Sequence, residues 1–428
     1  MALFSINLWV IITHMMSDYH PRWLTTRIEE ALADTPVVLL NGARQTGKST
    51  LAQALGTARN GRYVTLDDPT ALAAARSDPV AFADDGAALT VIDEIQKAPD
   101  LLPAIKLLVD RQRRPGRYLL TGSADVLTLP EVSESLAGRM EVLSLQPLAQ
   151  GEIAGQTPDL IAALFANAPP ERRLPALPDT AGDPSRVALA ARIATGGFPE
   201  ALARASVSRR AAWFAAYVTT VTQRDVRDLA NIADTTALPR ILALLAARSG
   251  GLVNMAELAR GVGLPQATLQ RYLALLQATF LYQPLPAWHA NLGKRLIKAP
   301  KAYLIDSGLA CALCGLTPAT VTNSALIGPM LESHVLDQLR RTAAAMPQPP
   351  GIFHYRSAGG AEVDFIIEDA GGRCIAIEVK ATRSLSEKHF APMKDLQAAL
   401  GERFHCGVVL YGGEQRVRFG ERVWGVGV

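Results

Sequence analysis

Gly42-Ala43-Arg44-Gln45-Thr46-Gly47-Lys48-Ser49-Thr50, read with the apolar run Val37–Leu40 just before it, decides the fold of this chain. The stretch fits G-x-x-x-x-G-K-[ST]. Its glycines let a turn wrap backbone N–H groups around phosphate oxygens, while Lys48 and Ser49 reach the terminal phosphates and magnesium. Thr35–Leu40 is continuously apolar and rich in valine and leucine, as a parallel strand buried on both faces should be. Ser49–Leu55 reads as a helix. Strand, glycine turn and helix N-terminus thus come in the order that points the helix dipole at an anion, and Gly42 to Thr50 is expected to bind phosphate.

At 428 residues and 49% hydrophobic composition the chain is long enough for two to four domains with buried cores. With 43 basic against 40 acidic residues the net charge is +3, which excludes a diffuse electrostatic attraction to nucleic acid and leaves only local patches. Cys311 and Cys314 form one C-x-x-C, but Cys374 and Cys406 offer no second pair at zinc spacing. Four reduced thiols of a cytoplasmic protein are the expectation. Leu3–Met16 is mostly apolar, yet lacks a basic leader and a cleavage site and is too short to span a bilayer. Met16 is a candidate start for translation; a membrane-surface anchor is the other reading.

Beyond the loop, Arg62–Asp67 reads as a second strand and Leu89–Glu94 as a third, ending in adjacent carboxylates. Asp93 is expected to hold magnesium and Glu94 to orient or deprotonate the attacking water. Arg117–Ser123 reads as a fourth strand with polar residues at its carboxyl end, where ligands of open α/β sheets sit. Thr121 and Ser123 are therefore candidates for contacting the γ-phosphate or the water. A short helix over Glu131–Gly138 delivers Arg139 just before the strand Met140–Leu145. Arg139 reads either as a finger offered to a neighbouring subunit or as a surface ion pair.

The succession GARQTGKST, VIDEIQ, LLTGSA, ESLAGR resembles the AAA-type branch of the P-loop ATPases, in particular a prokaryotic group with a C-terminal domain of unknown function. Gly196–Glu200 (GGFPE), Gln223–Val226 (QRDV) and Lys301–Leu309 (KAYLIDSGL) resemble that group too, so the match covers nearly all of the chain after Met16. It implies ATP and Mg2+ as cofactors and an ATPase activity.

From about Gln150 to Asp234 the pattern is helical and suits a lid, interrupted by a loop at Pro169–Pro184. Trp213, Phe214, Tyr217 and Val218 fall at helical spacing and read as core. Arg224 and Asp225 read as an internal ion pair or a functional pair. Ala237–Tyr282 shows helix-turn-helix spacing, with a third helix over Pro265–Phe280 and a strand-like Leu281–Pro286 that suggests a wing. Gln266, Thr268, Gln270 and Arg271 are the donors it would present to base edges, with Lys294, Arg295 and Lys298 in the wing. The plainer reading is a module that packs between domains.

In the last region Phe353–Arg356, Glu362–Ile367 and Cys374–Lys380 read as strands, the latter two joined as a hairpin. Glu378 and Lys380 are two apart and share a face, and pairing brings Asp364 beside them. Two carboxylates and a lysine suit magnesium-dependent phosphodiester cleavage: the acids hold the metal, the lysine positions the nucleophile. Glu332, on the preceding helix, completes the metal set Glu332, Asp364 and Glu378. This resembles the PD-(D/E)xK nuclease fold, with Asp364 and Glu378-Val379-Lys380 on its motif, Glu332 on its helical acid, and Val363 in place of its proline. A structural ion pair, or a module that binds nucleic acid without cutting it, are the competing readings.

The expected architecture is α/β. It comprises an N-terminal extension (1–16), an AAA-type P-loop domain with a parallel sheet (17–149), a helical lid or linker (150–236), a winged-helix module (237–310) and a restriction-endonuclease-like α/β domain (311–428). The expected function is ATP hydrolysis acting on DNA or RNA, with Lys48, Glu94, Arg139, Asp364, Glu378 and Lys380 as catalytic residues and no membrane span. An Arg139 finger would require a homo-oligomer. The competing expectation is a nucleotide-dependent switch whose C-terminal modules bind a protein partner.

Overall fold

Val37–Asn41 forms β1, and every residue in it is buried. Val37 and Leu39 pack on one side with the helix Leu101–Arg111, Val38 and Leu40 on the other with the helices Thr25–Asp34 and Lys48–Ala58. Alternate side chains of a strand point to opposite faces, so an unbroken apolar run is what a strand covered on both faces requires. The computed structural model describes residues 19–123, 136–166, 186–226, 235–291, 293, 295, 298–357 and 359–427. The N-terminal stretch Leu3–Met16, the loop Pro169–Pro184, Lys294 and most of the expected helix Glu131–Gly138 lie outside the described residues. No described helix is long and apolar enough to cross a membrane.

The chain divides into two compact units, one running to Pro147 together with Ala278–Phe280, the other from Leu148 to Gln277 and from Leu281 onward. In the first, β2 (Arg62–Thr65), β3 (Thr90–Asp93), β4 (Tyr118–Gly122) and β5 (Met140–Ser144) join β1 in an all-parallel sheet of order β2-β3-β4-β1-β5. β4 lies between β1 and β3. Leu40 pairs with Thr121 and Thr65 with Asp93, so the carboxyl ends of the strands form one edge. Helices on both faces and a parallel sheet make this an α/β unit.

The second unit begins with helices. Phe198 sits among Trp213, Phe214 and Tyr217 with ring centroids 5.0 to 6.2 Å apart, so these aromatics are core. Three further helices, Leu238–Ala247, Met255–Val262 and Gln266–Ala278, follow. Short backbone bridges Leu252↔Lys301, Leu285↔Lys301 and Tyr282↔Leu304 tie the segments around them. The last region is a six-stranded sheet of order β10-β11-β9-β8-β7-β6: β6 (Gly351–Arg356), β7 (Glu362–Glu368), β8 (Cys374–Lys380), β9 (Phe404–Tyr411), β10 (Arg416–Arg418) and β11 (Val423–Gly427). The helix Ile327–Ala345 packs on β8, and Ala391–Leu400 packs on β7 and β9.

Candidate nucleotide site and acidic site

Gly42 to Thr50 leaves β1 and enters the helix Lys48–Ala58. Gly42 has φ +141°, and a Cβ there would stand 2.4 Å from the Leu145 carbonyl oxygen; Gly47 has φ +94°. Only glycine meets both demands at Gly42. Between them Ala43 and Thr46 are buried, Arg44 is half-buried and Gln45 is exposed with φ 62°. The Thr46 hydroxyl donates to the Ala43 carbonyl at 3.0 Å, and Arg22 clamps the loop from outside, donating to the carbonyls of Thr46 at 2.7 Å and Gln146 at 2.6 Å. Lys48 Nζ folds back on its own loop, donating to the carbonyls of Gly42 at 2.9 Å and Ala43 at 2.7 Å. Thr50 lies half-buried in the first turn of the helix.

Ser49 Oγ donates to Asp93 Oδ1 at 2.9 Å, the Tyr63 hydroxyl to Asp93 Oδ2 at 3.1 Å, and Thr121 Oγ1 to Asp93 Oδ1. Burial and then the Asp93 charge hold the Tyr63 hydroxyl well above its ordinary pKa. Glu94 stands in the left-handed region with φ 61°, uncommon for a residue with a side chain. Its N–H donates to Thr121 Oγ1 at 3.1 Å, and its carboxylate accepts from Ser123 Oγ at 3.1 Å and from the Gln96 amide. Lys48, Ser49, Asp93, Glu94, Thr121 and Ser123 therefore share the carboxyl edge of the sheet. Arg139 does not. It precedes β5 at the opposite edge, its carbonyl accepting from Val37 N–H at 3.2 Å and its guanidinium gripping both Asp110 carboxylate oxygens at 2.6 and 3.1 Å.

In the second unit β7 and β8 pair antiparallel with Phe365 opposite Ile377, so Asp364 and Glu378 come next to that pair. Asp364 N–H donates to Glu378 Oε2 at 3.1 Å, Val379 N–H to Asp364 Oδ2 at 2.9 Å, and Lys380 Nζ to Glu378 Oε1 at 2.5 Å. Glu332 reaches the same place from the helix Ile327–Ala345. Asp364, Glu378 and Lys380 thus meet, and a side chain that the sequence did not single out joins Asp364 to Glu332: Lys301 Nζ lies 3.0 Å from Glu332, 2.8 Å from Glu362 and 3.1 Å from Asp364. The Tyr303 hydroxyl also donates to Glu332. Burial, reinforced by Asp364, pushes Glu332 and Glu378 each up to about 7. Burial works against the Lys301 ammonium, but Asp364, Glu332 and Glu362 outweigh it and hold the group well above the usual lysine range.

Residues 34–154 match a family model described as an AAA domain; residues 186–320 and 327–428 match two models described as domains of unknown function. The uncharacterized protein Rv2008c of Mycobacterium tuberculosis is 32% identical over 401 residues, covering 93% of this chain and 81% of its own. Mb2031c of Mycobacterium bovis matches to the same extent. The chain belongs to their family. It is an AAA-type P-loop ATPase family, from the domain matched at residues 34–154. Among solved structures the chain is similar to the Walker-type ATPase PABY2304 of Pyrococcus abyssi at 15% identity and a TM-score of 0.41, covering 69% of this chain and 96% of that one. Thermotoga maritima RuvB, a Holliday junction branch migration motor, follows at 19% identity and a TM-score of 0.27, covering 61% and 89%.

Gly196–Glu200 and Lys301–Leu309 have a structural job in the second unit. Asp306 accepts from Gly197, Gly308 and Leu309 N–H groups and pairs with Arg341 at 2.8 Å; Arg341 also donates to the Leu148 carbonyl at 2.9 Å. A Cβ on Gly196 would fall 1.9 Å from Asp306 Oδ1, and one on Gly197 2.1 Å from the Leu148 oxygen. The helix Gln266–Ala278 exposes Gln266, Gln270 and Arg271 and half-buries Thr268. The wing expectation fails at Arg295, which pairs with both oxygens of Glu368 at 2.6 and 3.1 Å and lies over the Trp288 and Phe353 rings. Lys298 is exposed and donates to the Arg356 carbonyl at 3.4 Å. Arg224 is exposed. The four cysteines are free thiols.

Proposed function

We propose that this protein binds ATP with magnesium at Gly42–Thr50 and hydrolyses it, the first unit driving the second. One observation carries the reading: Ser49 Oγ and Asp93 Oδ1 stand 2.9 Å apart. Neighbouring oxygens on an octahedral ion with bonds of about 2.0–2.1 Å are separated by about 2.9 Å, so this pair fits magnesium. Bound there, magnesium would neutralise charge that builds on the phosphates. Lys48 then exchanges two neutral carbonyls for phosphate oxygens, a charge-assisted contact roughly twice as strong. Glu94 orients the attacking water, held at one oxygen by Ser123, while Thr121 fixes both Asp93 and the Glu94 backbone. Arg139, on the far edge of the sheet, serves only another copy's nucleotide, so a finger role implies a homo-oligomer. Glu94→Gln should retain ATP and lose turnover by about 10²-fold or more; unchanged phosphate release would end the assignment.

We read residues 150–236 as a helical lid or linker, 237–310 as a winged-helix module and 311–428 as a nuclease-like domain, with the cytoplasm as the compartment. Helix order followed by antiparallel bridges supports the module, and the exposed Gln266, Gln270 and Arg271 support contact with DNA or RNA. A second reading, a nucleotide-dependent switch whose nuclease-like domain is inactive and binds a partner, is favoured by Lys301 among the carboxylates. Incubating the protein with single- and double-stranded DNA and RNA plus Mg2+ or Mn2+, beside Asp364→Ala and Glu378→Ala, separates the two. Metal-dependent cleavage abolished by both substitutions selects the nuclease; none selects the switch.

A further inference from the structure

Lys301 is delivered by fixed backbone, since its N–H and C=O both pair with Leu285 at 2.9 Å and it is bridged on its other side to Leu252. Its side chain is almost wholly buried and meets one carboxylate for each N–H of the ammonium: Glu332 from a helix, Glu362 and Asp364 from β7. Gly250 leaves room for this on the remaining side, since a Cβ there would stand 2.8 Å from Glu332 Oε2. Asp364 and Glu378 are engaged beyond Lys301 as well. Asp364 Oδ2 takes the Val379 N–H, while Glu378 takes Lys380 and the Asp364 N–H. A divalent ion shared by Glu332 and Asp364 would have to stand where Lys301 Nζ stands, against a like charge. Magnesium does not fit this site.

We propose that Lys301 is the resident cation of the acidic site, its ammonium joining Glu332, Glu362 and Asp364 in place of a divalent metal ion. The site is then a fixed crosslink between the helix, β7 and the Lys301 segment, and the second unit engages its partner without metal-dependent cleavage. The inference depends on the nuclease-like reading only for the expectation that a metal belongs here.

Mn2+ binding tests it, followed by electron paramagnetic resonance of the free ion, in the full chain carrying Asp93→Asn so that the nucleotide site does not contribute. The chain with Lys301 should show no bound Mn2+ that depends on Asp364. Lys301→Met should gain one equivalent, bound roughly tenfold or more tightly than any in the parent. That ion should raise the variant's melting temperature and disappear when Asp364→Asn is added, while Lys301→Arg should stay closed to Mn2+. One Mn2+ in the Lys301 chain, lost with Asp364→Asn, overturns the proposal, as does a folded Lys301→Met that gains none. If Lys301→Met does not fold, the Lys301 chain and its Asp364→Asn partner decide alone. Mn2+ bound with cleavage would remove this inference and keep the nuclease reading; the ATPase reading stands in either case.

Discussion

Lys48 and Lys301 are both buried, at 5% and 1% exposure, and both ammonium groups are held by oxygens within about 3 Å, yet the oxygens differ in kind. Around Lys48 they include the carbonyls of Gly42 and Ala43, dipoles that satisfy hydrogen bonding without carrying a full charge. Around Lys301 they are three carboxylates, which do both. A buried cation resting on dipoles still gains by meeting an anion, whereas one already ringed by anions gains nothing from a further ligand and loses much if it leaves. The chemistry of the compensating group, more than the burial, is what distinguishes the two lysines.

Substituting each lysine should give opposite outcomes. Lys48→Ala should cut ATP turnover by about 10³-fold, as loss of a principal donor to a transferring phosphoryl group does, and move the melting temperature little. Lys301→Met strands buried carboxylates and should cost the second unit about 3–5 kcal/mol, read from its denaturant midpoint without added metal. A Lys301→Met chain as stable as the parent, or a Lys48→Ala chain that unfolds, would erase the distinction.

The cluster at the carboxyl edge of the first sheet was legible because its instructions are local. Two glycines, a lysine and a serine lie within nine residues, and Asp93 and Glu94 end an apolar strand where polarity is otherwise unexplained. Asp364, Glu378 and Lys380 were legible from period two, which should also have exposed Glu362, two before Asp364. Lys301 was missed since its partners lie 31 and 63 residues away, and Arg22 since it clamps Thr46 and Gln146 from 24 and 124 residues away. Periodicity tells which face is apolar, not which faces meet. Arg295 failed for the same reason: a cation in a presumed wing reads as solvent-facing until Glu368 is seen beside it. A lysine opening the otherwise apolar Lys301–Ile305 was the available signal.

Arg341 extends the comparison to a third buried cation, again held by carboxylates, Asp306 at 2.8 Å and Asp337 at 3.5 Å. Gly196→Ala puts a methyl into Asp306 and forces a side chain to φ +70°. Left-handed strain and overpacking together should cost about 3 kcal/mol of second-unit stability. A neutral result would mean that Asp306 can shift while keeping Arg341 paired, and that this cluster is softer than the Lys301 one.

His334 supplies the smallest and sharpest case, a buried base whose charged form is opposed by burial and by two arginines. It shares a hydrogen bond with Ser307 Oγ at 3.2 Å, and burial, then Arg341 and Arg192, push its pKa down to about 3. The folded chain keeps it neutral while the unfolded chain protonates it near the ordinary 6.5. Stability from this residue is therefore complete above about pH 6.5 and is lost as pH falls toward 3, at about 1.4 kcal/mol per unit. Asp337, raised to about 7 by burial, titrates with the opposite sign but is present in parent and variant alike, so a difference measurement isolates the imidazole. Between pH 7.5 and pH 5 the parent should lose about 2 kcal/mol more than His334→Gln, measured as the change in denaturant midpoint. Parallel pH profiles would mean that His334 takes up its proton as readily in the folded chain as in the unfolded one.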